Sequence, residues 1–547
     1  MVLLNFMMNE GQANRVRIVA SASLASVGSL ALLLVVNLAA EKITRQGEDR
    51  VDAVLAVVFV VAALVYYWAE KDLIRQISTA MENAIDRVRL RLINGVRRAD
   101  YEAIENVGSA TLYESITQAS NALSQNSQFV ALSVRSALLT LLILMYILYL
   151  SVAAFVLVLL GTAAAGILYY RLGGQLAQKY AVLMAREQAL FGTVEDLLDG
   201  FREVRLSSTR SRALGAYFEA ISAEATRVRT DVQSQSFQKL VFGHVAFFFL
   251  LAVVVFLMPL YTAPGSVDVV KVSASVIFMM GPLGGVIQAV TVMASADAAA
   301  RGMLLLDARL QTMTEPGLAL PGESVPAEFD CIRIHNTVYS YPAAPGESAF
   351  TVGPHALSLR RGEVVFITGG NGSGKSSFIK VLTGLYRPAH GSIYVDGLQI
   401  TDRNRRSYRE LFAAVFSDHQ LTLRLYGQNN LDSAEVRQLL ELLEIGHLVS
   451  VEREQLSRIV FSTGQRKRVL LLAALLEHRP VLVLDEWAAD QDPHFRAKFY
   501  REILPFIQAR GTTVIAVTHD DHHFDAADRR IHFEQGLATE VTPVVVS

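Results

Sequence analysis

Residues Gly369 to Ser376 read G-G-N-G-S-G-K-S, which satisfies the pattern G-x-x-x-x-G-K-[S/T]. The preceding run Glu363–Thr368 predicts a short buried strand, and the apolar spacing of Ser377–Leu382 predicts a helix. In this strand–loop–helix context the pattern indicates a phosphate-binding loop rather than a glycine-rich turn that binds nothing. The glycines let the backbone curl so that several N–H groups point at one anion, at the positive end of the following helix.

Two side chains of this loop have predicted roles toward a nucleoside triphosphate. Lys375 is expected against the β- and γ-phosphates, and the Ser376 hydroxyl is expected on Mg²⁺. The rest of the chain is therefore interpreted as parts of a protein whose function depends on binding a nucleotide at this site.

Composition divides the chain in two. Hydrophobic residues make up 52% of its 547 residues and charged residues only 19%, against a usual quarter. The apolar excess lies in the first three hundred positions, which predicts a membrane domain followed by a soluble one. The net charge of -2 gives no reason to expect nucleic acid, and the single cysteine, Cys331, excludes a disulfide framework. The polar start of the chain predicts that there is no cleavable signal peptide.

Long uncharged runs predict six membrane spans. They lie at about residues 18–40, 53–69, 128–150, 152–170, 240–267 and 272–295. The uncharged run 136–170 is too long for one span, so two helices are expected to meet near Ser151. Lysine and arginine concentrate in the two long segments after the second and fourth spans, so these segments and both termini are expected to face the cytoplasm.

The two basic segments read as long helices that extend beyond the membrane, and their basic residues are read as a solvated face or as contacts with acidic lipid. Contacts with the soluble domain are expected around Tyr113 and around Phe201–Glu203. The predicted transmembrane domain covers residues 1–315, and a proline- and glycine-rich linker covers 316–328. From residue 329 to 547, short β-rich runs alternate with helices, which predicts an α/β domain.

Four further motifs accompany the phosphate loop. Upstream of it, Tyr341 could stack on a purine. Downstream, Phe461–Gln465 precedes a helix that starts near Arg466. Asp485–Glu486 ends a buried strand, where one carboxylate can hold Mg²⁺ and the next can orient or deprotonate a water. Taken singly, each motif has a plainer structural interpretation.

The fourth motif is His519, which ends another buried strand. It also begins the run His519–His523, which suggests a metal site. Adjacent positions on one turn point in different directions, so that interpretation is the weaker one.

All five motifs, in this order and after a polytopic membrane domain, make the chain resemble an ATP-binding cassette (ABC) exporter over nearly its whole length. Within that superfamily, Phe416–Asp418, Phe461–Arg468 and Asp485–Pro493 resemble the branch that exports cyclic peptides and siderophore precursors, the syringomycin, pyoverdine and microcin-type exporters. The resemblance implies a six-span α-helical membrane domain followed by an α/β P-loop nucleotide-binding domain.

The resemblance also implies a role for each matching residue toward ATP and Mg²⁺. Tyr341 would stack on adenine, and the phosphates would be wrapped by Gly369, Gly370, Asn371, Gly372, Ser373, Gly374, Lys375, Ser376 and Ser377. The signature residues Ser462, Gly464 and Gln465 would close on the ATP held by the opposite subunit.

In the same family pattern Asp485 would assist Mg²⁺, Glu486 would be the catalytic base, Asp492 would belong to the D-loop, and His519 would sense the γ-phosphate. The sequence departs from the family at the Q-loop, where Ser417 and then Asp418 stand in place of the Mg²⁺-binding glutamine. Asp418 is the expected replacement beside Ser376 and Asp485, with Ser417 and Gln420 as the alternatives.

The implied function is ATP-driven export of a peptide-like small molecule, a cyclic or modified peptide or a siderophore precursor, across the cytoplasmic membrane by alternating access. The implied assembly is a homodimer that holds two ATP molecules, with membrane lipid around it and no nucleic acid. Lipid flipping by the same architecture is the alternative, and a non-transport ATPase is a third reading. Asn37 and Gln288, rare polar residues within spans, are the expected substrate contacts.

Overall fold

The computed structural model describes residues 2–12, 14–46, 53–107, 109–173, 176–257, 267–314, 324–341, 350–417, 425–426, 431–452, 455–457 and 461–541. The chain divides into two units, of which the first contains residues 1–94 and 110–309 and the second contains residues 95–109 and 310–547. The predicted domain boundaries at 315 and 329 stay predictions.

Most described residues of the amino-terminal part of the chain are helical. Its helices are α1 Val2–Asn5, α2 Arg15–Gln46, α3 Ala53–Arg98, α4 Tyr101–Val107, α5 Ser109–Leu150, α6 Val152–Gly173, α7 Leu176–Asp199, α8 Phe201–Leu206, α9 Ser208–Leu257 and α10 Val267–Thr312. The helical conformation is interrupted at Ser151, between α5 and α6, where the sequence predicts a turn.

The length of α3 follows from its apolar periodicity. Leu73, Ile77, Met81 and Ile85 recur every four residues and are at most 2% exposed. This buried stripe stabilises the part of α3 that lies beyond its predicted span.

In the described part of the chain, five helices contain a stretch long and apolar enough to cross a membrane by length and composition. These stretches are Arg15–Lys42, Ala53–Arg98, Ala119–Leu150, Val152–Tyr169 and Val269–Ala289. A shorter apolar stretch, Val241–Leu257, closes α9, and residues 258–266 lie outside the described part of the chain. The count of six spans therefore stays a prediction.

The two predicted substrate contacts differ in their surroundings. Asn37 on α2 is buried, and its amide nitrogen donates to the hydroxyl of Tyr146 on α5 at 3.3 Å. Gln288 on α10 is exposed. Only Asn37 is thus tied to another helix by a hydrogen bond described here.

The second unit contains most of the β-structure. Its strands are β1 Cys331–Ser340, β2 Thr351–Arg360, β3 Val364–Gly369, β4 His390–Val395, β5 Leu398–Gln399, β6 Phe412–Val415, β7 Val451–Glu452, β8 Gln455–Leu456, β9 Val481–Asp485, β10 Thr513–Val517, β11 Arg529–Glu534 and β12 Leu537–Val541. Its further helices are α11 Lys375–Leu382, α12 Arg405–Arg409, α13 Ser433–Leu442, α14 Thr463–Leu476, α15 Pro493–Lys498 and α16 Leu504–Ala509.

The main sheet has the order β12-β11-β3-β10-β9-β6, and all its neighbours are parallel except the β11–β12 pair. A four-stranded antiparallel sheet with the order β2-β1-β4-β5 accompanies it. The short strands β7 and β8 pair with each other.

The main sheet is covered on both faces, which explains the continuous apolar runs of its central strands. Alternate residues of β3 enter two different cores: Val364 and Phe366 pack with α14, whereas Val365 and Ile367 pack with α11. Parallel register aligns the carboxyl ends of β3, β9 and β10 at one edge. Ligands of α/β sheets bind at such an edge, and the phosphate loop, Asp485 and His519 lie at or just after these strand ends.

Candidate nucleotide-binding site

The phosphate loop connects β3 to α11, as the sequence predicts. Three of its glycines have left-handed backbone angles, with φ of +142° at Gly369, +75° at Gly372 and +99° at Gly374. A Cβ atom at Gly369 would lie 2.2 Å from the carbonyl oxygen of Phe533. Glycine is therefore required at this position for both the backbone angle and the space.

Lys375 is the first residue of α11, and its side chain folds back against the phosphate loop. It is 5% exposed, and its ammonium donates to the carbonyl oxygens of Gly369 and Gly370, each at 2.9 Å. Burial lowers the pKa of Lys375, while the charges of Glu486 and Asp485 act in the opposite direction. A cation held here lies where phosphate oxygens would meet the loop.

Asp485 ends β9 and faces two hydroxyl groups. Its Oδ2 lies 3.4 Å from Ser376 Oγ and 3.5 Å from Ser417 Oγ. Its Oδ1 is buried and has no hydrogen-bond partner among the described residues. Burial, and then the charge of Glu486, raise the pKa of Asp485.

This donor set fits Mg²⁺, which prefers oxygen ligands and is commonly held by one or two carboxylates together with substrate phosphates. The buried Oδ1 of Asp485 supplies an acceptor that the residues described around it leave unused. Among the described residues of this segment, Ser417 reaches Asp485, and the metal contact expected of Asp418, with Ser417 and Gln420 as alternatives, stays a prediction. Asp418 and Gln420 both lie outside the described residues.

Glu486 follows Asp485 with an unusual backbone. Its φ is +48°, a left-handed angle that non-glycine residues rarely adopt. Its N–H donates to the carbonyl oxygen of Val517 at 3.2 Å, and its Oε1 lies 3.4 Å from Nε2 of His519. Three predicted residues, Asp485, Glu486 and His519, are thus neighbours at the carboxyl ends of β9 and β10.

An open cleft of about 520 Å³ lies over the phosphate loop. It is lined by Tyr341, Phe350, Asn371, Gly372, Ser373, Gly374, Lys375, Ser376, Ser377 and Glu486. At one side of the cleft the hydroxyls of Tyr341 and Ser377 share a hydrogen bond of 2.8 Å. An aromatic ring, the phosphate loop and a carboxylate therefore border one space of the size that takes a small ligand.

The predicted signature residues lie elsewhere. Ser462 is the N-cap of α14, and it forms a capping box with Gln465: Ser462 Oγ accepts from Gln465 N–H at 3.3 Å, and Gln465 Oε1 accepts from Ser462 N–H at 3.1 Å. The carbonyl oxygen of Gly464 accepts from Gln491 Nε2 at 3.1 Å. The lining of the described cleft includes none of Ser462, Gly464 and Gln465.

Asp492, the predicted D-loop residue, caps α15. Its Oδ1 accepts from the N–H of Phe495 at 3.0 Å, and its Oδ2 accepts from Arg468 of α14 at 2.9 Å. The hydrogen bond from Phe495 lowers the pKa of Asp492. Asp492 is therefore tied to the signature helix rather than to the described cleft.

Sequence reasoning missed the contact made by α4. Glu105 accepts hydrogen bonds from Lys380 at 2.9 Å and from Tyr386 at 2.7 Å, and Glu102 accepts from the hydroxyl of Tyr339 at 3.0 Å. The contacts that the sequence predicts around Tyr113 and around Phe201–Glu203 stay predictions. The signal that the sequence did contain is a pair of glutamates three residues apart, which shares one face of a helix.

The histidine-rich run does not assemble a metal cluster in the described chain. His523 stacks on Tyr500 with ring centroids 4.5 Å apart, and His522 is exposed. The described residues contain no group of three or more His, Cys, Asp or Glu side chains placed to hold a metal.

Comparison with known proteins agrees with this geometry. Residues 353–489 match the ABC transporter family model. The chain is 33% identical over 358 residues to the ATP-binding protein SyrD of Pseudomonas syringae pv. syringae, which covers 62% of each protein. It is 31% identical over 225 residues to the energy-coupling factor transporter ATP-binding protein EcfA of Syntrophomonas wolfei, covering 39% of this chain and 81% of EcfA.

Among solved structures, a bacterial Atm1-family ABC exporter with ATP bound has a similar fold. The TM-score is 0.76 at 17% sequence identity, with 95% of this chain and 93% of that chain covered. The likeness confirms the predicted fold class, an α-helical membrane domain joined to a nucleotide-binding domain. The chain spans 62% of the length of SyrD, so the match to that relative is partial.

Proposed function

We propose that this chain, whose fold is that of ABC exporters, is an ATP-driven exporter of a peptide-like small molecule. The observation that carries the proposal is the convergence of the phosphate loop, Asp485, Glu486 and His519 at one edge of the main sheet. A site that hydrolyses ATP needs a loop that binds the phosphates, a carboxylate that binds the metal, and a base that takes a proton from water.

In the proposed reaction Glu486 accepts a proton from the attacking water, and Lys375 offsets charge on the β- and γ-phosphates. Ser376, Asp485 and a Q-loop residue, Ser417 or Asp418, would hold Mg²⁺, which neutralises charge on the phosphate oxygens when bound. His519, beside Glu486, would contact the γ-phosphate, and Tyr341 would stack on adenine.

The proposed active form is a homodimer. Ser462, Gly464 and Gln465 lie outside the lining of the described cleft, which supports an arrangement in which they contact the nucleotide held by a second copy. Two copies would hold two ATP molecules, each between the phosphate loop of one copy and the signature residues of the other. ATP would then favour the closed pair of nucleotide-binding domains, and hydrolysis would release it.

Export, rather than ATP hydrolysis alone, is supported by the five apolar helices and the exporter fold. We place the chain in the cytoplasmic membrane with six spans and with both termini in the cytoplasm. A peptide-like substrate is supported by the similarity to SyrD, which resembles this chain beyond the ATP-binding domain alone. That similarity does not favour lipid flipping.

The first test is ATP hydrolysis by the purified chain in lipid vesicles, with Glu486→Gln as the matched variant. The glutamine keeps the size of the side chain and removes the base. We expect Glu486→Gln to bind ATP normally and to lose hydrolysis by about two orders of magnitude or more. Full hydrolysis by the variant would remove Glu486 from the proposed role.

The substrate is tested in the same vesicles. Stimulation of hydrolysis by a cyclic or modified peptide, together with ATP-dependent uptake into inverted vesicles, supports the proposed export. Asn37→Ala tests the one predicted contact that is buried between helices, and we expect it to weaken the stimulation without changing basal hydrolysis. Stimulation by lipid alone would contradict peptide export.

A further inference from the structure

The ammonium group of Lys467 lies between two acceptors at the carboxyl end of β9. Its Nζ donates to the backbone carbonyl oxygen of Glu486 at 2.7 Å and pairs with Asp490 Oδ2 at 2.7 Å. Lys467 is 7% exposed. A buried cation is tolerated when it is paired and hydrogen-bonded, and these two partners meet that requirement.

We infer that Lys467 is a positioning residue for Glu486, holding the backbone of the proposed catalytic base in the conformation that it needs. This inference rests on the proposed function. Glu486 has a φ of +48°, and such a backbone persists only where the surroundings over-determine it. Its carbonyl oxygen is held by Lys467, and its N–H donates to Val517 of β10.

Trp487, the residue after Glu486, makes a second hydrogen bond between the same two segments, in the opposite direction. The indole Nε1 of Trp487 donates to the carbonyl oxygen of Lys467 at 2.7 Å, and Trp487 is 1% exposed. Lys467 thus holds the backbone of Glu486, while Trp487 holds the backbone of Lys467. Two hydrogen bonds in opposite directions join α14 to the residues that follow β9, which fixes their relative position more firmly than either bond alone.

The link also connects two different nucleotide contacts. Lys467 lies one turn into α14, whose first residues follow the signature serine Ser462. In the proposed dimer that end of α14 meets the ATP held by the other copy, whereas Glu486 acts on the ATP held by its own copy. A shift of α14 would therefore be transmitted through Lys467 to Glu486.

Neighbouring contacts support the same connection. Gln491 donates to the carbonyl oxygen of Gly464 at 3.1 Å and accepts from Arg468 Nε at 2.9 Å. Lys467 differs from these residues because it alone, among these contacts, reaches Glu486 itself. It is the residue whose loss should change the chemical step without changing ATP binding.

The test compares Lys467→Met, Lys467→Arg and Glu486→Gln with the unaltered full chain in lipid vesicles. Methionine keeps the length of the side chain and removes the donor, so we expect kcat to fall about 10- to 100-fold. The ATP affinity and KM should stay within about twofold, because Lys467 does not line the described cleft. Arginine keeps a charged donor of similar length, and we expect it to retain kcat within about threefold.

A control variant separates positioning of Glu486 from the loss of a lysine–carboxylate ion pair elsewhere in the domain. Lys498 of α15 pairs with Glu444 at 2.7 Å and makes none of the described contacts with Glu486. We expect Lys498→Met to leave kcat within about twofold of the unaltered chain. Equal loss of kcat in both methionine variants would show a structural role only and would overturn the inference.

A double variant measures whether Lys467 acts through Glu486. Adding Lys467→Met to Glu486→Gln should lower the residual rate no further, since the group being positioned is already removed. A further loss of the same size as in the single variant would overturn the inference.

The remaining outcomes distinguish the two proposals. An unchanged kcat in Lys467→Met, with Glu486→Gln inactive, overturns the positioning role and leaves the proposed function intact. Full hydrolysis by Glu486→Gln overturns both. If Lys467→Met does not yield folded protein, Lys467→Arg decides, and a loss of kcat greater than about tenfold in that folded variant would overturn the inference.

Discussion

The phenol oxygen of Tyr341 lies 2.8 Å from the hydroxyl oxygen of Ser377, so the ring expected to stack on adenine is hydrogen-bonded to the phosphate loop. Its ring also meets Tyr339 edge to face, with centroids 5.1 Å apart, and Phe350 at 6.3 Å. The Ser377 hydroxyl has one proton, so it can donate to a phosphate oxygen, as the family resemblance implies, while it accepts from Tyr341 but not while it donates to Tyr341.

This relationship predicts opposite effects for two substitutions at Tyr341. Tyr341→Phe keeps the ring and removes the hydroxyl that is bonded to Ser377, so ATP affinity should stay the same, or rise by up to about tenfold where that bond competes with the phosphate. Tyr341→Ala removes the ring and should weaken ATP binding by about 1–3 kcal/mol. Titration of each variant with a fluorescent ATP analogue measures both effects. Equal weakening in the two variants would show that the hydroxyl, rather than the ring, contributes to binding.

The raised pKa of Asp485 predicts a pH-dependent requirement for Mg²⁺. A raised pKa means that Asp485 takes up a proton at a higher pH than an ordinary carboxyl group, and that proton competes with the metal. The apparent Mg²⁺ affinity should fall as the pH drops through this raised pKa, and added Mg²⁺ should restore hydrolysis. Mg²⁺ titrations of ATPase activity at several pH values measure this shift.

Asp485→Asn is the control for the Mg²⁺ prediction. It should raise the Mg²⁺ concentration needed for hydrolysis and should flatten the pH dependence of that concentration. A variant with the same pH profile as the unaltered chain would assign the titration to another group. Removal of Mg²⁺ with a chelator should abolish hydrolysis in both proteins.

The ion pair between Glu105 and Lys380 predicts an effect on coupling rather than on stability. Lys380 belongs to α11, the helix that follows the phosphate loop, and Glu105 belongs to α4. The Glu105 side chain is 41% exposed, so the pair should contribute less than about 1 kcal/mol to the free energy of unfolding. Glu105→Gln should lower substrate stimulation of hydrolysis while ATP affinity stays unchanged.

The comparison for Glu105 is Glu102→Gln, which affects only the described hydrogen bond from Tyr339. We expect the smaller loss of stimulation in that variant, because Tyr339 is not part of α11. Unchanged stimulation in Glu105→Gln would mean that this ion pair transmits nothing between α4 and the phosphate-loop helix.

Burial of His355 predicts a stability change in mild acid. His355 is 3% exposed between Phe378 and Phe533, and burial lowers its pKa to about 4. In the unfolded chain an ordinary histidine takes up its proton near pH 6.5, about 2.5 units higher. The free energy of unfolding should therefore be full above about pH 6.5 and lower by about 3 kcal/mol once the pH reaches about 4.

His355→Leu tests whether His355 causes this fall in the free energy of unfolding in mild acid. Leucine cannot take up a proton, so the fall in stability between about pH 6.5 and pH 4 should be smaller by about the same amount. Denaturant unfolding of the nucleotide-binding part of the full chain, followed by tryptophan fluorescence at several pH values, measures the difference. An identical acid dependence in the variant would assign that dependence to carboxylates instead.

Some structural features could be predicted from local patterns alone. The phosphate loop, strand β9 with its terminal Asp485, and the break at Ser151 depend on residues close together in the chain, whose chemistry permits few conformations. Left-handed glycines, continuous apolar runs and uncharged stretches of limited length each carry their own physical constraint. The resemblance to ABC exporters added the roles of Tyr341 and Ser462, which no local rule supplies.

Other features depended on tertiary structure, because they join residues far apart in sequence through backbone atoms or single side chains. In the sequence Lys467 looks like any other basic residue of a helix. Only the tertiary structure shows that its ammonium donates a hydrogen bond to the carbonyl oxygen of Glu486. Glu105 reads as one of many helix glutamates until it meets Lys380. Sequence alone therefore determined which chemistry this chain can carry, since that depends on residue types in short motifs. The packing of distant elements decided which groups hold that chemistry in place, because a hydrogen bond of 2.7 Å exists only once both partners have been positioned.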